Sequence, residues 1–477
     1  MTRHTKIVAT VGPACADPAI LGALAAAGVD VFRLNTSHGA IAEHVAAVAL
    51  ARQVARETGR SIATLMDLGG PKLRIGTVDH GGALHLEAGA TVELVPGEAP
   101  SSLGLIAVAY EHLLTDVRPG HRVLIDDGAV ELRVESAGDG RLRCEVVYGG
   151  AVSSRKGVAF PDSRLTLRAL TARDREAIVA GVAAGVDYFA LSFVADAEDL
   201  RLARTLIRAE GAATPIIAKI ERRLALDALD EIAAEADGLM VARGDLGVEM
   251  PPEEVPVQQR RIIAAAARRM IPVITATQML ESMIQAPRPT RAESSDVAHA
   301  VWDHSDALML SGETAAGKYP VAAVEMMDRI IRRAESFPAP AHEATDVPQA
   351  DDHSWVIARA ARRMVESDAN IRAIACFTQT GRTALLLSKV RPSVPVYAFT
   401  PDEAVCRRLA LARGVTPLLV PFVETSEAML RAVDEHLQAG RHLLAGEEVV
   451  VLASLPVSRK GTTNFIKLHQ VGEAATY

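Results

Sequence analysis

The fold is decided by two neighbouring segments, Ile216-Ile-Ala-Lys-Ile-Glu221 and Gly238-Leu-Met-Val-Ala-Arg-Gly-Asp245. Each is a short apolar run of the kind that forms a buried parallel strand, and each ends in charged residues. Open α/β sheets and βα barrels place their chemistry at the carboxyl ends of the strands. We therefore expect Lys219, Glu221 and Asp245 to converge above a parallel sheet, where they could hold a divalent metal with a cation beside it.

The composition limits the possible classes of protein. The chain has 477 residues, 49% of them hydrophobic, and a net charge of −8. Its length predicts two or three domains. The negative balance and the lack of a long Lys/Arg run disfavour nucleic-acid binding. No apolar run approaches membrane-spanning length, and four widely separated cysteines indicate neither a disulfide framework nor a zinc site. We predict a cytoplasmic protein without membrane or nucleic-acid partners.

Apolar β-rich runs alternate with Ala-, Leu- and Arg-rich helical stretches, a pattern typical of a parallel sheet covered by helices. Eight such runs precede the C-terminal third: Lys6–Gly12, Val29–Asn35, Ile62–Asp67, Asp187–Val194, Ile216–Glu221, Gly238–Asp245, Pro272–Gln278 and Ala307–Glu313. Eight βα units predict an α/β fold built on a closed (β/α)₈ TIM barrel.

The βα pattern is interrupted once, after the third run. From Lys72 to about Val158 the sequence is Gly-rich, with alternating segments at 83–87, 91–95, 122–126 and 141–147. Short strands at close spacing predict a small β-barrel or sandwich. Inserted above the carboxyl-end face of the barrel, this domain is placed to act as a lid.

A third domain follows the barrel. The Pro-rich polar stretch 337–348 predicts a linker. Beyond it a helix-like segment, 355–367, precedes strand-like segments at 371–377, 394–400 and 448–453, which predict a C-terminal doubly wound α/β domain. The predicted domains are the barrel, 1–71 and 158–338, the inserted small β-barrel lid, 72–157, and the C-terminal domain, 345–477.

Polar residues cluster at the predicted strand ends: Arg33, Asn35, Ser37, Asp67, Ser192, Lys219, Glu221, Asp245, Thr277, Gln278, Ser311 and Glu313. Such residues are costly in a barrel interior unless they are hydrogen-bonded, so the cluster indicates a ligand site. Glu221 and Asp245 suit Mg²⁺, although a salt bridge with a neighbouring arginine would explain Glu221 alone. Gly244 leaves backbone N–H groups for an anion or simply serves a tight turn, and Thr277 alone could be a strand-end hydrogen-bond donor.

Seven motifs along the barrel resemble those of the pyruvate kinase family and occur in the family's order. They are Thr5-Lys-Ile-Val-Ala-Thr-Val-Gly-Pro, Arg33-Leu-Asn-Thr-Ser-His-Gly, Ala218-Lys-Ile-Glu, Met240-Val-Ala-Arg-Gly-Asp-Leu-Gly-Val-Glu, Ala276-Thr-Gln-Met-Leu-Glu-Ser-Met-Ile, Pro287-Arg-Pro-Thr-Arg-Ala-Glu and Met309-Leu-Ser-Gly-Glu-Thr-Ala. The lid insertion and the C-terminal domain also fall where that family has them.

The resemblance implies phosphoryl transfer from phosphoenolpyruvate to ADP, giving pyruvate and ATP at the final step of glycolysis. It implies that Glu221 and Asp245 bind Mg²⁺ or Mn²⁺, that Lys219 stabilises the moving phosphoryl group and that Arg33 contacts phosphate. Thr277 would lie near the enolate as it is protonated. Phosphoryl transfer needs positioning and charge neutralisation more than a nucleophile, which suits these residue types.

The resemblance also assigns a nucleotide side and an assembly. Five residues match family positions around the nucleotide: Asn35, Ser37, His38, Arg74 and Lys156. The backbone around Gly244 would receive the substrate carboxylate. Without the family resemblance, the sequence would indicate only that His38 is an ordinary histidine in a turn. The family implies a homotetramer.

The end of the third barrel strand departs from family members that require potassium. Those members have Asp-Thr-Lys-Gly-Pro-Glu, whereas this chain has Asp67-Leu-Gly-Gly-Pro-Lys72. The ammonium of Lys72, near Asn35, Ser37 and Asp67, would replace K⁺ and disfavour a second cation by repulsion. The alternative is that Lys72 points to solvent at the lid hinge.

The segment from Thr378 to Thr383 offers a phosphate cradle between a strand and a helix. In the family this loop resembles the site of a phosphorylated effector, although an unoccupied turn explains the pattern equally well. The segment 454–464 lacks glycines that many relatives have there, so the identity of the effector does not transfer.

Two other functions remain open. The first is another barrel enzyme that handles phosphoenolpyruvate or pyruvate, such as a Mg²⁺-dependent aldolase or lyase, which would need the two carboxylates but not Lys156 or Arg74. The second is a catalytically silent regulatory homologue. Retention of Lys219, Glu221, Asp245 and Thr277 together weighs against it.

Overall fold

The computed structural model describes residues 3–78, 82–337, 353–455 and 463–473. The predicted linker lies outside them except for Phe337, as does part of the glycine-poor segment 454–464. Within these ranges the chain forms one closed barrel, two sheets in the inserted region and a five-stranded sheet near the C-terminus. Among the described residues, no helix has the length and apolar character needed to cross a membrane.

The closed barrel consists of eight parallel strands, as predicted. In chain order they are Lys6–Val11, Val31–Asn35, Ala63–Leu68, Tyr188–Leu191, Ile216–Ile220, Gly238–Ala242, Val273–Ala276 and Ala307–Leu310. Each strand pairs with its neighbours in the series, and the first pairs with the eighth. The predicted TIM barrel is therefore confirmed.

Helices surround the barrel because its strands are buried on both faces. They are Pro18–Ala27, Ile41–Thr58, Ala172–Ala183, Ala197–Ala209, Arg223–Asp227, Leu229–Glu235, Arg243–Glu249, Val255–Arg269, Arg291–Trp302, Gly312–Ala315 and Pro320–Glu335, with a 3₁₀ turn at Glu281–Ile284. Side-chain caps fix several of the helix starts; Thr171 and Thr290, for example, each begin a capping box.

The inserted region forms a small β-barrel. Its main sheet has the spatial order Val158–Ala159, Arg122–Ile125, Val130–Gly138, Arg141–Tyr148, Thr91–Pro96 and Leu105–Val108. Residues 73–76 close this sheet, because the N–H of Val158 donates to Leu73 O and the N–H of Gly76 donates to Ala107 O. A second sheet pairs Gly150–Ser153 with Ala83–Leu86, and a short helix spans Leu113–Asp116.

The return boundary of the lid differs from the expected one. Val158 and Phe160 lie in the apolar core of the lid, and Leu167 packs against it. Arg122 also holds the return segment through both carboxylate oxygens of Asp162. The predicted boundary between residues 157 and 158 therefore cuts through the lid sheet, and we place the end of the lid after Leu167.

The C-terminal region forms a doubly wound α/β sheet, as predicted. The strand order is Val415–Leu419, Val396–Thr400, Ile371–Phe377, Glu448–Ala453 and Phe465–Gln470, with only the last strand antiparallel. The helices are His353–Ser367, Arg382–Val390, Glu403–Arg408 and Ser426–Ala439, with a 3₁₀ turn at Leu409–Leu411. They cover both faces, since alternate residues of strand Ile371–Phe377 belong to two different apolar clusters.

The C-terminal domain closes the amino end of the barrel. Ala410 and Leu411 belong to the same apolar cluster as barrel-interior residues such as Val8 and Met240. Lys6, at the start of the first barrel strand, donates through Nζ to Val415 O at 2.8 Å. The barrel and the C-terminal domain thus share one continuous interior.

Buried ion pairs surround this contact. Asp187, before the fourth strand, accepts from Arg407 Nε at 2.9 Å, and Asp306, before the eighth strand, pairs with Lys389 and Arg391. Both aspartates are about 1% exposed at the side chain. The N–H of Val273 donates to Asp306 at 2.8 Å as well. These carboxylates are therefore satisfied entirely by protein groups.

Candidate active site

Lys219 lies at the centre of a buried ionic network at the carboxyl end of the barrel. Its Nζ lies 2.7 Å from Glu221 Oε1, 3.2 Å from Asp67 Oδ1 and 2.6 Å from Ser192 Oγ. Burial alone would lower the pKa of Lys219, but Asp67 and Glu221 raise it well above its ordinary value. The two carboxylates therefore favour the charged form of the lysine.

Arg33 completes the network from the second strand. Its Nε donates to Asp67 Oδ2 at 2.6 Å, and its Nη1 donates to Thr10 Oγ1 at 3.0 Å. Burial would raise the pKa of Asp67, but Lys219 and Arg33 hold it below its ordinary value. Asp67 therefore stays ionised and keeps the two cations in place.

Glu221 and Asp245 face the same cleft. Glu221 is about 2% exposed and accepts from the N–H of Phe193 at 2.7 Å, while Asp245 lies in the first turn of helix Arg243–Glu249. Both line a cleft of about 50 Å³ together with Lys72. Burial raises the pKa of Glu221 to about 7, and Asp245 adds to the rise while Lys219 opposes it.

This donor set fits a hard divalent cation. The described residues contain no cluster of three or more His, Cys, Asp or Glu with metal-binding geometry. Two carboxylates in a cleft are nevertheless the usual protein share of a Mg²⁺ site, because the ion keeps water or substrate oxygens as its other ligands. A cation would also relieve the repulsion between the two carboxylates.

Thr277 and Gly244 are in direct contact. The N–H of Gly244 donates to Thr277 Oγ1 at 2.8 Å, and this hydroxyl donates to Ala276 O at 2.7 Å. Thr277 has φ +66° and Gln278 has φ +55°, so two successive non-glycine residues adopt the left-handed conformation. Such strain is concentrated at functional sites. A Cβ on Gly244 would meet Thr277 Oγ1 at 3.5 Å, an ordinary contact, so no clash within the chain requires glycine there.

Of the residues predicted for the nucleotide, Asn35 ends the second barrel strand beside Asp67, and the others lie on the following loop and in the lid. Ser37 and His38 are exposed in the loop after the second strand, where Asn35 Oδ1 accepts from the N–H of Ser37 at 3.2 Å. In the lid, Arg74 donates to Arg155 O, and Lys156 pairs with Asp126 at 2.9 Å. The structure therefore places Ser37 and His38 on the loop and Arg74 and Lys156 in the lid, while Asn35 lies on the barrel strand next to Asp67.

Lys72 lines the clefts between the lid and the barrel. It borders the small cleft with Glu221 and a larger one, of about 840 Å³, with Gly244 and Asp245. Lys72 is exposed and shares these clefts with the predicted metal ligands, whereas Asn35, Ser37 and Asp67, near which it was expected, line neither cleft.

Sequence reasoning assigned no role to two residues of this region. Asp127 lines both clefts from the lid, in a turn whose residues Asp126 and Asp127 have positive φ. The Asp-Asp-Gly pattern at 126–128 is the signal that could have revealed it. Arg243 donates to Thr277 O at 2.7 Å and to Asp296 Oδ1 at 2.7 Å. The sequence feature that could have indicated a role for Arg243 is its position directly before Gly244 and Asp245.

The C-terminal cradle has the predicted strand–loop–helix form. Helix Arg382–Val390 follows the loop, and Gly381 has φ +88°, which favours glycine. Thr378 Oγ1 accepts from the N–H of Gly381 at 2.9 Å, and Thr383 is hydrogen-bonded to Thr463 at 2.7 Å. The loop borders a cavity of about 90 Å³.

Comparisons with known proteins agree with this architecture. The family model for the barrel domain of pyruvate kinase matches residues 2–324, and that for its alpha/beta domain matches residues 356–469. The chain is 44% identical to a pyruvate kinase from Agrobacterium vitis, over 98% of this chain and 97% of that protein. It is 42% identical to one from Mycobacterium tuberculosis, with 99% of each covered.

A solved structure gives the same result. The crystal structure of a pyruvate kinase from Cryptosporidium parvum superposes with a TM-score of 0.93 at 33% identity, covering 98% of this chain and 96% of that one. The family match spans the barrel that carries Lys219, Glu221 and Asp245 as well as the C-terminal domain. The chain therefore belongs to the pyruvate kinase family and is a phosphotransferase.

Proposed function

We propose that this enzyme transfers the phosphoryl group of phosphoenolpyruvate to ADP, giving pyruvate and ATP. The observation that carries the proposal is the buried ammonium of Lys219, held 2.7 Å from Glu221 at the open end of the barrel. The lid faces this end across the large cleft, which has room for substrates. The 44% identity to an Agrobacterium vitis pyruvate kinase supports the assignment.

The proposed cofactor is Mg²⁺, with Mn²⁺ as a substitute, held by Glu221 and Asp245. Both residues offer oxygen ligands to the same cleft. When bound, the ion would supply positive charge next to the phosphoryl oxygens.

The protein residues act mainly by position and charge. In the reaction an oxygen of ADP attacks phosphorus, the bond from phosphorus to the enolate oxygen breaks, and the enolate then takes a proton at its methylene carbon. Lys219 and Arg33 are fixed cations, so they stabilise charge on the moving phosphoryl group without rearranging during the reaction. The backbone at Gly244 would receive the substrate carboxylate, and Thr277 would lie beside the enolate.

The nucleotide is proposed to bind between the second-strand loop and the lid. Asn35, Ser37 and His38 would contact it from the loop, and Arg74 and Lys156 from the lid. Lys156 is about 39% exposed at the side chain and has one carboxylate partner, so it can exchange Asp126 for a phosphate. Closure of the lid would exclude water and protect the phosphoryl group from hydrolysis.

A coupled assay tests this function against its rivals. Pyruvate formation from phosphoenolpyruvate should require both Mg²⁺ and ADP and should produce one ATP per pyruvate. Pyruvate formation without ADP would favour an aldolase or lyase that handles an enolate. No turnover with any nucleoside diphosphate would favour a regulatory homologue.

We also propose that potassium is not required. Lys72 supports this because it lines the small cleft together with Glu221 and Asp245 and the large cleft together with Asp245. A positive charge there raises the electrostatic cost of binding a monovalent cation.

Regulation and assembly complete the proposal. The loop Thr378–Thr383 would bind a phosphorylated effector, since it borders a cavity at a helix N-terminus. A homotetramer is proposed from the family resemblance. A cytoplasmic location is supported by the four buried free cysteines, which suit a reducing compartment.

A further inference from the structure

The turn after the seventh barrel strand needs an external support. Thr277 and Gln278 both have positive φ, and threonine is β-branched, so this conformation is unfavourable for the isolated chain. Residues held in this way persist only when surrounding contacts fix them. Whatever fixes the turn also sets the position of the Thr277 hydroxyl.

Arg243 supplies contacts to both carbonyls beside that hydroxyl. Its Nε donates to Ala276 O at 3.2 Å, and its Nη2 donates to Thr277 O at 2.7 Å. The hydroxyl itself donates to Ala276 O and accepts from the N–H of Gly244, the next residue after Arg243. Arg243 and Gly244 together therefore hold the backbone and the side chain of Thr277.

Asp296 fixes the arginine from the opposite side. Its Oδ1 accepts from Arg243 Nη1 at 2.7 Å, from within helix Arg291–Trp302. The side chain of Arg243 is about 11% exposed, and its Nε, Nη1 and Nη2 all donate to protein atoms. A planar guanidinium can donate hydrogen bonds to three acceptors in fixed directions. A lysine ammonium on a flexible stem cannot hold the same geometry.

We propose that Arg243, buttressed by Asp296, is a positioning residue that sets the Thr277 hydroxyl for protonation of the enolate. The inference rests on the proposed function. In this step the enolate double bond takes a proton at the methylene carbon, the enolate oxygen becomes the ketone oxygen, and solvent supplies the proton. Arg243 acts through Thr277, since its Nε, Nη1 and Nη2 all donate to protein acceptors.

The test is a double-mutant cycle on Arg243→Lys and Thr277→Ala, read by exchange of the pyruvate methyl protons in D₂O with Mg²⁺ and ATP present. Arg243→Lys should lower the exchange rate and kcat about 10²-fold, with the KM values for phosphoenolpyruvate and ADP within about twofold. In the Thr277→Ala background, Arg243→Lys should have little further effect.

The matched control is Arg204→Lys, since the part-buried Arg204 also donates to a backbone carbonyl, Glu235 O, and pairs with Asp237 at 3.0 Å, and it lines neither cleft. It should change exchange less than twofold. Asp296→Asn keeps the test usable if Arg243→Lys folds poorly, and it should show the same non-additivity with Thr277→Ala.

Two results would overturn the inference: effects that simply add in the cycle, or a loss confined to KM. If Thr277→Ala itself leaves exchange unchanged, the role proposed for Thr277 fails. If Thr277→Ala slows exchange but Arg243→Lys and Asp296→Asn do not, only the positioning role fails.

Discussion

The two ends of the barrel contain the same kinds of buried charge but differ in how those charges are satisfied. At the amino end, Asp306 is held by Lys389, Arg391 and the backbone N–H of Val273. At the carboxyl end, Glu221 is held by Lys219 and Phe193 but also borders an open cleft. Buried charge alone therefore does not identify an active site.

What distinguishes the active site is the surroundings of its buried charges. Carboxyl-end charges face a cleft beside a strained turn, at Thr277, and beneath a lid. Amino-end charges meet side chains of a second domain in a closed contact, such as that between Asp187 and Arg407. We expect substitutions at the first end to remove activity and substitutions at the second end to remove stability.

The largest expected effect is at the carboxyl end. Asp245→Ala should lower kcat about 10³-fold or more, because it removes one of the two proposed metal ligands. Binding of Mn²⁺, measured by calorimetry, should weaken in parallel while the circular dichroism spectrum is unchanged. Asp230→Ala removes an exposed carboxylate and serves as the control. Near-normal turnover in Asp245→Ala would contradict the metal assignment.

The matching substitution at the amino end is Asp306→Asn. It should lower the free energy of unfolding by about 3 kcal/mol, because Lys389 and Arg391 would stay buried without their carboxylate. Urea unfolding measures this change, and the KM values should not change. The exposed counterpart Asp230→Asn should cost less than about 0.5 kcal/mol. A change in KM without a loss of stability would reverse the assignment of the two ends.

The Asp306 contribution should also depend on pH. Burial would raise the pKa of Asp306, but Lys389 and Arg391 hold it below its ordinary value. A depressed carboxyl pKa stabilises the fold above the unfolded pKa of about 4, and this stabilisation is lost as the pH falls through the folded pKa. The stability difference between the unmodified enzyme and Asp306→Asn should therefore shrink in acid.

A smaller effect is expected at the edge of the active-site cleft. Lys72→Glu should lower activity about tenfold and make it dependent on K⁺, since a negative charge would replace a positive one beside the metal ligands. The unmodified enzyme and Lys72→Arg should be fully active with tetramethylammonium as the only monovalent cation. Severalfold activation of the unmodified enzyme by K⁺ at constant ionic strength would contradict this prediction.

The lid should show a smaller effect, confined to one substrate. Lys156→Ala should raise the KM for ADP about fivefold, because it removes one charged contact to phosphate. Arg141→Ala is the control, since it removes a lid cation that pairs with Glu93. Initial rates with each substrate varied separately measure the effect, and an increase in the KM for phosphoenolpyruvate alone would exclude the assignment.

The smallest expected effect is at the C-terminal cradle, at the opposite end of helix Arg382–Val390 from Lys389. A sugar phosphate or nucleotide should change the apparent affinity for phosphoenolpyruvate about twofold to tenfold, which corresponds to about 0.4–1.4 kcal/mol of coupling. Thr383→Ala should abolish the response, and Thr383→Ser should retain it. If no phosphorylated metabolite shifts the saturation curve, the loop is only a turn.

The comparison also explains what the sequence could and could not predict. The barrel strands and their polar ends were predicted because each is a local pattern, as in Ile216–Ile220 followed by Glu221. Strand Leu105–Val108 in the lid was missed, because four residues beside Gly104 give too little alternation to detect. The pair of Asp187 with Arg407 was not predictable either, because its partners lie 220 positions apart.

The strained backbone at Thr277 and Gln278 could not be predicted from the sequence either. Nothing in the motif Ala276-Thr-Gln-Met indicates that Thr277 and Gln278 adopt positive φ, because glycine or asparagine, the usual signals, are absent there. The role of Arg243 follows only from that conformation. Local sequence thus predicts where functional groups lie along the chain, whereas the contacts that position them depend on the folded structure.

The closure of the barrel by Ala410 and Leu411 has a consequence for synthesis of the chain. The first barrel strand, Lys6–Val11, leaves the ribosome about 400 residues before the segment that covers its amino end. Until that segment emerges, the lower interior around Val8 and Met240 lacks its apolar cover. Until then the base of the nascent barrel is an exposed apolar surface, the kind that chaperones bind.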